Sequence, residues 1–295
     1  MLFRSQVQIT GTMVLQLVVS GLLAGGLYAL VALGLSLIFG VMRVINVAHG
    51  ALLMLGAYTT YWLFALFGLN PFLSLLVSVP MLFVVGAVLQ KLFVHRVVDA
   101  PELSSLLLTF GISIFIANVA MLAWSSDYRS VEFLTGSFIL GQIAVSKPRL
   151  ISFIVALGLT GLAFLFLHRT KIGKAIRATS QHRDVAQVCG IDVRRIDVIT
   201  FGLGAGLAGA GGSLVSVMFA VYPEMGLIYV FKSFLVIALG GAGNFPGAFF
   251  GGLLLGLVEG LASLFLTAQL SEVIAYILLV VVLLVRPAGL LGGRT

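Results

Sequence analysis

Long apolar stretches separated by short polar breaks run from residue 14 to residue 285. A helix needs ~20 apolar residues to cross about 30 Å of hydrocarbon. The pattern therefore predicts an all-α polytopic membrane protein with about nine transmembrane or re-entrant helices, in a range of eight to ten. The segments are 14–40, 47–69, 71–94, 103–124, 150–168, 198–221, 226–243, 245–267 and 273–285.

The composition excludes a soluble protein. Of the 295 residues, 60% are hydrophobic and 9% are charged, whereas soluble domains average roughly 25% charged residues. A soluble enzyme and a disordered chain are both incompatible with these values. The 35 glycines suit transmembrane helices that pack closely.

The basic loop 169–197 sets the predicted orientation. It carries seven Lys and Arg residues against three Asp residues, and cytoplasmic loops of membrane proteins are rich in such cations. We therefore place this loop in the cytoplasm and assign the net charge of +7 to orientation, not to nucleic-acid binding. The side of the amino terminus stays open. Segment 125–149 is the main outer connection, where we expect a short interfacial helix.

No catalytic or metal-binding pattern is found. The chain lacks His-Glu-x-x-His and Gly-x-Ser-x-Gly, and Cys189 is its single cysteine. The glycines between 202 and 212 lie in an apolar helix without the strand context of a nucleotide-binding turn, so we interpret them as packing residues. The sequence predicts a non-enzyme without a metal site or cofactor of its own.

Glu259 is the one carboxylate near the middle of a predicted span. A buried acid in a membrane is costly and is a functional candidate by default. It lies beside Gly252, Gly256 and Gly260, a spacing that lets another helix approach closely. Two interpretations stay open: a residue of the substrate path or gate, or an acid that only supports helix packing.

Two polar breaks interrupt the apolar pattern. The first contains Asn46, His49 and Gly50 and is either a broken helix facing a cavity or a cytoplasmic turn with Asn46 as the N-cap. The second contains Asn244, Pro246 and Gly247. Their similar sequences suggest an internal repeat.

The basic loop contains small residues at helical spacing and a glycine that ends a helix. This pattern predicts a cytoplasmic helical hairpin that docks another protein; the alternative is a solvated basic loop. The residues singled out are Gly173, Arg177, Ala178, Gln181, Ala186, Gly190 and Ile191.

Three segments carry a family resemblance. Residues 172–191 (IGKAIRATSQHRDVAQVCGI) resemble the coupling loop of LivH-type permeases, the membrane subunits of ATP-binding-cassette importers for branched-chain amino acids. Residues 26–58 (GLYALVALGLSLIFGVMRVINVAHGALLMLGAY) are similar to the opening signature of that family. Residues 240–260 (GGAGNFPGAFFGGLLLGLVEG), followed by RPAGLLG at 286–292, match in the same order.

The resemblance implies one permease domain over residues 1–295, like that of type II ABC importers, in the bacterial inner membrane. The expected partners are a related second permease, two cytoplasmic ATPases that hold ATP and Mg, and a periplasmic binding protein. The seven basic-loop residues match the coupling motif. Asn46, His49, Gly50, Pro246, Gly247 and Glu259 match the membrane signatures, and Asn244 joins them as a path or gating candidate.

Two positions depart from the family pattern, Ala51 after the first signature and His182 after the coupling-loop glutamine. Another small solute, such as urea, an amide or a sugar, stays open as the substrate. An ion-coupled transporter would need titratable pairs inside the membrane, and a channel or scaffold subunit is a further alternative.

Overall fold

The computed structural model describes residues 11–141, 143–286 and 289. It contains two short strands, β1 (Ser137–Leu140) and β2 (Ile143–Ser146), and a 3₁₀ turn at Val94–Arg96. The helices are α1 (Gly11–Met42), α2 (Ala48–Phe67), α3 (Leu75–Leu92), α4 (Glu102–Trp124), α5 (Lys147–Arg169), α6 (Lys171–Gln181), α7 (Arg183–Val188), α8 (Val193–Ser216), α9 (Met225–Gly240), α10 (Phe245–Ala262) and α11 (Ala268–Val285).

Each of the nine predicted apolar segments coincides with a helix, which confirms the all-α polytopic fold. Seven helices in the described residues are long and apolar enough to cross a membrane, and α9 and part of α11 are shorter apolar helices. Five of these helices precede the basic loop, so the start of α1 lies on the face opposite that loop.

Helices α1 and α8 form the centre of the bundle. The most apolar part of α1 is 83% buried and that of α8 is 78% buried, compared with 11% for α4. Glycines of α8 lie against the neighbouring backbones, Gly204 at Gly34 of α1 and Gly209 at Gly56 of α2. The glycines between 202 and 212 therefore pack helices together, as the sequence predicts.

Segment 125–149 forms an antiparallel hairpin of β1 and β2, not the interfacial helix expected from sequence. The strands contain Phe138, Ile139, Ile143 and Val145, residue types that favour extended structure. Gly141 adopts a φ of 64° at the turn between them, a conformation that glycine reaches without a steric penalty.

The two ends of the bundle differ in charge. We call the end that holds the basic loop the basic face; it also holds Arg43, Lys91 and Arg96. The opposite face holds the hairpin of β1 and β2 and only three cations that lie near it in the described chain, Arg129, Lys147 and Arg149. This asymmetry agrees with a cytoplasmic basic face.

Candidate translocation and coupling sites

The break between α1 and α2 lies inside the bundle. Arg43 ends α1 with a φ of 53°, and the chain then turns back so that His49 Nε2 lies 2.9 Å from the carbonyl oxygen of Val31. The extended segment is held by α4: Ser105 Oγ accepts from the Ile45 amide, and Thr109 Oγ1 accepts from the Val47 amide and donates to the Ile45 carbonyl.

Asn46 does not cap α2, so the N-cap interpretation is wrong. The capping position is Val47, and no side chain bonds to the helix amides there. Asn46 is fully buried, and within the described chain its amide nitrogen and oxygen have no hydrogen-bond partner, nor does His49 Nδ1. Gly50 meets the backbone of Gly226. The geometry is that of a broken helix whose polar atoms face inward.

The second break is different. Asn244 caps α10 through its Oδ1, which accepts from the Gly247 amide at 3.0 Å. Pro246 is exposed in the first turn, and Gly247 lies against the backbone of Gly240. The two breaks share sequence features but not geometry, because Asn244 makes the cap that Asn46 does not.

Glu259 belongs to a buried polar cluster that joins three helices. Its Oε2 accepts hydrogen bonds from Tyr28 Oη of α1 at 2.9 Å and from Lys232 Nζ of α9 at 3.0 Å. The ammonium also donates to Tyr28 Oη at 3.0 Å. The side chains of Lys232 and Glu259 are 8% and 14% exposed. We call these three residues the Lys232 cluster.

The glycines around Glu259 set how closely α10 approaches α1. A Cβ atom on Gly252 would overlap the backbone of Ala29, one on Gly256 would overlap that of Gly21, and one on Gly260 would overlap that of Leu17. The spacing found in the sequence thus lies on the contact with α1. This contact holds Glu259 next to Tyr28.

The basic loop folds as a helical hairpin of α6 and α7. Thr170 caps α6 by accepting from the Gly173 amide at 2.9 Å, and Gly173 packs on the last turn of α5. Arg177 Nε donates to the Leu167 carbonyl. Gly190 ends α7 with a φ of 85°. The hairpin is therefore held against the end of α5.

The small residues of the hairpin do not all face outward, as the docking interpretation assumed. Gly173 and Ala186 are buried against the chain itself, Arg177, Ala178 and Ile191 are partly buried, and Gln181 and Gly190 are exposed. The outer surface instead presents apolar side chains, with Val188 88% and Val185 59% exposed. We call Ile172, Val185 and Val188 the apolar hairpin residues.

An ion pair connects the hairpin to the bundle. Arg183 at the start of α7 donates to both carboxylate oxygens of Asp197 in α8, at 2.9 and 2.6 Å. Its hydrogen bonds with Asp197 raise the pKa of Arg183 above its ordinary value. The hairpin position thus depends on a contact with α8.

Comparison with known proteins identifies the family. Residues 17–283 match the family described as "Branched-chain amino acid transport system / permease component". The chain belongs to this permease family. It is 34% identical to the high-affinity branched-chain amino acid transport system permease protein BraD of Pseudomonas aeruginosa, over 94% of this chain and 95% of the relative.

Further relatives carry similar names. The permease is 30% identical to LivH of Salmonella typhimurium, over 94% of this chain and 95% of that relative. It is also 30% identical to the probable permease LivH of Methanocaldococcus jannaschii, over 90% of this chain and 89% of that relative. No solved structure matches the chain.

Sequence reasoning missed three functional candidates in the permease. The sequence pattern singles out neither Lys232 nor Tyr28, and Asp197 enters it only as one of the three acidic charges of the basic loop. The signal for Lys232 was available, because a lysine inside an apolar span needs a polar partner. Within the described residues, no group of three or more His, Cys, Asp or Glu could hold a metal ion.

Proposed function

We propose that the chain is a membrane permease of an ATP-driven importer in the bacterial inner membrane, and that it carries branched-chain amino acids. The names of its relatives support this substrate class. The permease domain comprises residues 1–295. A related second permease completes the path, and a periplasmic binding protein delivers the substrate to the face opposite the basic face.

The observation that carries the coupling role is the surface of the hairpin. Val185 and Val188 are exposed on a segment otherwise rich in charge. Apolar side chains in water favour burial against a partner. We propose that two cytoplasmic ATPases, which hold ATP and Mg, complete the importer. One docks on the coupling loop 169–197 of this chain, and the other docks on the coupling loop of the second permease.

The residues of the hairpin divide by task in this proposal. Gly173, Arg177, Ala178 and Ala186 hold α6 and α7 against the bundle. Gln181, Gly190 and Ile191 lie toward the outer side or at the end of α7, where they shape the docking surface together with the apolar hairpin residues. Movement of the ATPases is then passed to α8 through Arg183 and Asp197.

The substrate path follows the polar atoms inside the bundle. We propose that Asn46, His49 and Gly50 at the first break, and Glu259 in the Lys232 cluster, border the path. Asn244, Pro246 and Gly247 form the turn at the basic face, where we place an inner gate.

The test is co-purification and transport. The permease is expressed with its partner subunits, isolated in mild detergent, and reconstituted into vesicles with loaded binding protein and internal ATP. We expect two ATPases and a second permease to co-purify and leucine uptake to require ATP. Val188→Asp should release the ATPases, whereas Gln187→Glu, at the exposed neighbouring position, should not. Purification alone with ATP-independent uptake would contradict the proposal.

A further inference from the structure

A cavity of about 290 Å³ opens beside the Lys232 cluster, between the start of α9 and the segment that follows α8. It lies toward the face opposite the basic face, because α8 ends and α9 begins there. Liquid water occupies about 30 Å³ per molecule, so this space equals roughly ten waters. It is therefore large enough for one small amino acid.

The described residues of the cavity wall combine aromatic and apolar side chains with a charged one. Phe219, Tyr222, Met225 and Tyr229 supply most of this lining, and Lys232 is the charged side chain among the described lining residues. Glu259 lies directly behind, within hydrogen-bond distance of Lys232 and Tyr28. Binding sites for small molecules commonly have such an apolar wall with a few placed polar groups.

The ion pair in the cluster has the same two charges as an amino acid zwitterion. Opening a buried pair alone would leave two uncompensated charges, which is costly. An amino acid can remove that cost, since its carboxylate can take the place of Glu259 at Lys232 and its ammonium can take the place of Lys232 at Glu259. Glu259 Oε1 is buried and has no partner among the described residues, so it offers an acceptor for this exchange.

We propose that Lys232 and Glu259 form a transient binding site for the α-carboxylate and α-ammonium of the transported amino acid. The exchange of one ion pair for two conserves charge and needs no proton transfer. The hydroxyl of Tyr28 holds Glu259 in place during the exchange, and the apolar side chain of the substrate lies against Phe219, Tyr222 and Tyr229. This inference rests on the proposed function, because it assumes an amino acid substrate.

A purely structural role for the ion pair makes a different prediction. When both partners of a buried pair are replaced together by uncharged residues, stability is often unchanged or improved. The double variant Lys232→Met with Glu259→Gln therefore separates the two roles. If the ion pair has only a structural role, the double variant should keep leucine uptake. If the pair binds the zwitterion, the double variant should lose uptake while the complex stays assembled.

The experiment uses the full importer in vesicles and measures leucine uptake and ATP hydrolysis stimulated by loaded binding protein. We expect the double variant to keep ATP hydrolysis. The amount of leucine transported per ATP should fall at least about tenfold, because a buried charge contact with the substrate is lost. Phe231→Leu, on the exposed side of α9, is the control and should match the wild type. Normal uptake by the double variant would overturn the inference.

A chemical rescue tests the ammonium at position 232 in the assembled importer, independently of the double variant. Lys232→Cys is made in a Cys189→Ser background, since Cys189 is the single cysteine. After assembly, 2-aminoethyl methanethiosulfonate attaches a side chain that ends in an ammonium, and methyl methanethiosulfonate attaches a neutral one. Only the first reagent should restore uptake. If both reagents restore uptake equally, or if neither restores it, the inference is overturned. A wild-type importer without leucine uptake would instead refute the proposed function itself.

Discussion

Arg183 and Asp197 form a bidentate ion pair, with Nη1 to Oδ1 at 2.9 Å and Nη2 to Oδ2 at 2.6 Å. The pair joins the first residue of α7 to the first turns of α8, and Arg183 Nη1 also lies 3.5 Å from the Val41 carbonyl oxygen of α1. A short surface helix is thereby tied to the two central helices of the bundle.

Loss of this pair should detach the hairpin. In Asp197→Asn, the Arg183 guanidinium keeps its charge without its anionic partner, and a hydrogen bond to a charged group contributes about 1.5–3 kcal/mol. We expect a lower unfolding temperature in detergent and weaker stimulation of ATP hydrolysis by loaded binding protein. The control is Asp192→Asn, where Asn caps α8 as well as Asp does; an equal effect of both changes would contradict the assignment.

The contact between α1 and α10 should not accept a methyl group. In Gly256→Ala, the added Cβ would overlap the backbone of Gly21 and Gly25, and overpacking of this kind costs about 1–3 kcal/mol. Gly158→Ala in α5 meets no atom within 4 Å and should be neutral or stabilising. Thermal unfolding of both variants measures the difference. Equal stabilities would mean that the two helices can separate freely.

The hydroxyl of Thr109 makes two of the three hydrogen bonds between α4 and the extended segment that joins α1 and α2. Thr109→Val keeps the shape of the side chain but removes the hydrogen bonds to Ile45 and Val47. This leaves partly buried backbone groups unsatisfied, at a cost of up to about 1–3 kcal/mol. We expect lower stability and slower uptake. Thr109→Ser retains the hydroxyl and should behave like the wild type. A valine variant with normal stability and uptake would show that the segment is held by packing alone.

At position 190, the backbone conformation should limit substitutions more than the size of the new side chain does. Its φ of 85° disfavours most side chains, whereas Asn tolerates positive φ better. We expect Gly190→Ala to reduce co-purification of the ATPases and Gly190→Asn to reduce it less, while both remain in the membrane. Quantitative mass spectrometry of the purified complex gives the ratio. A larger loss with Asn would point to a direct steric contact instead.

Much of the fold follows from local pattern, because apolar length and helix-ending residues act over short distances. The nine apolar segments and the α6–α7 hairpin are local properties, and so is the cap at Asn244. The Lys232 cluster is not, since Tyr28 and Glu259 are 231 residues apart. The position of Asn46 is not a local property either. Ser105 and Thr109 of another helix hold the backbone on either side of it.

The hairpin of β1 and β2 differs from the expected interfacial helix for another reason. Its aromatic and aliphatic residues suit a membrane interface in either helical or extended form, and the periodicity of a segment this short does not separate the two. The turn at Gly141 was the local feature that favours strands.

Lys232 also has a consequence for how the chain enters the bilayer during synthesis. A lysine at the centre of a lone inserting helix costs about 2.5–3.5 kcal/mol, and α9 is only 16 residues long. Its counter-charge, Glu259, emerges from the ribosome 27 residues later. We therefore expect α9 to wait at the translocon until α10 has been made, so that the two helices pass into the lipid together as a neutral pair.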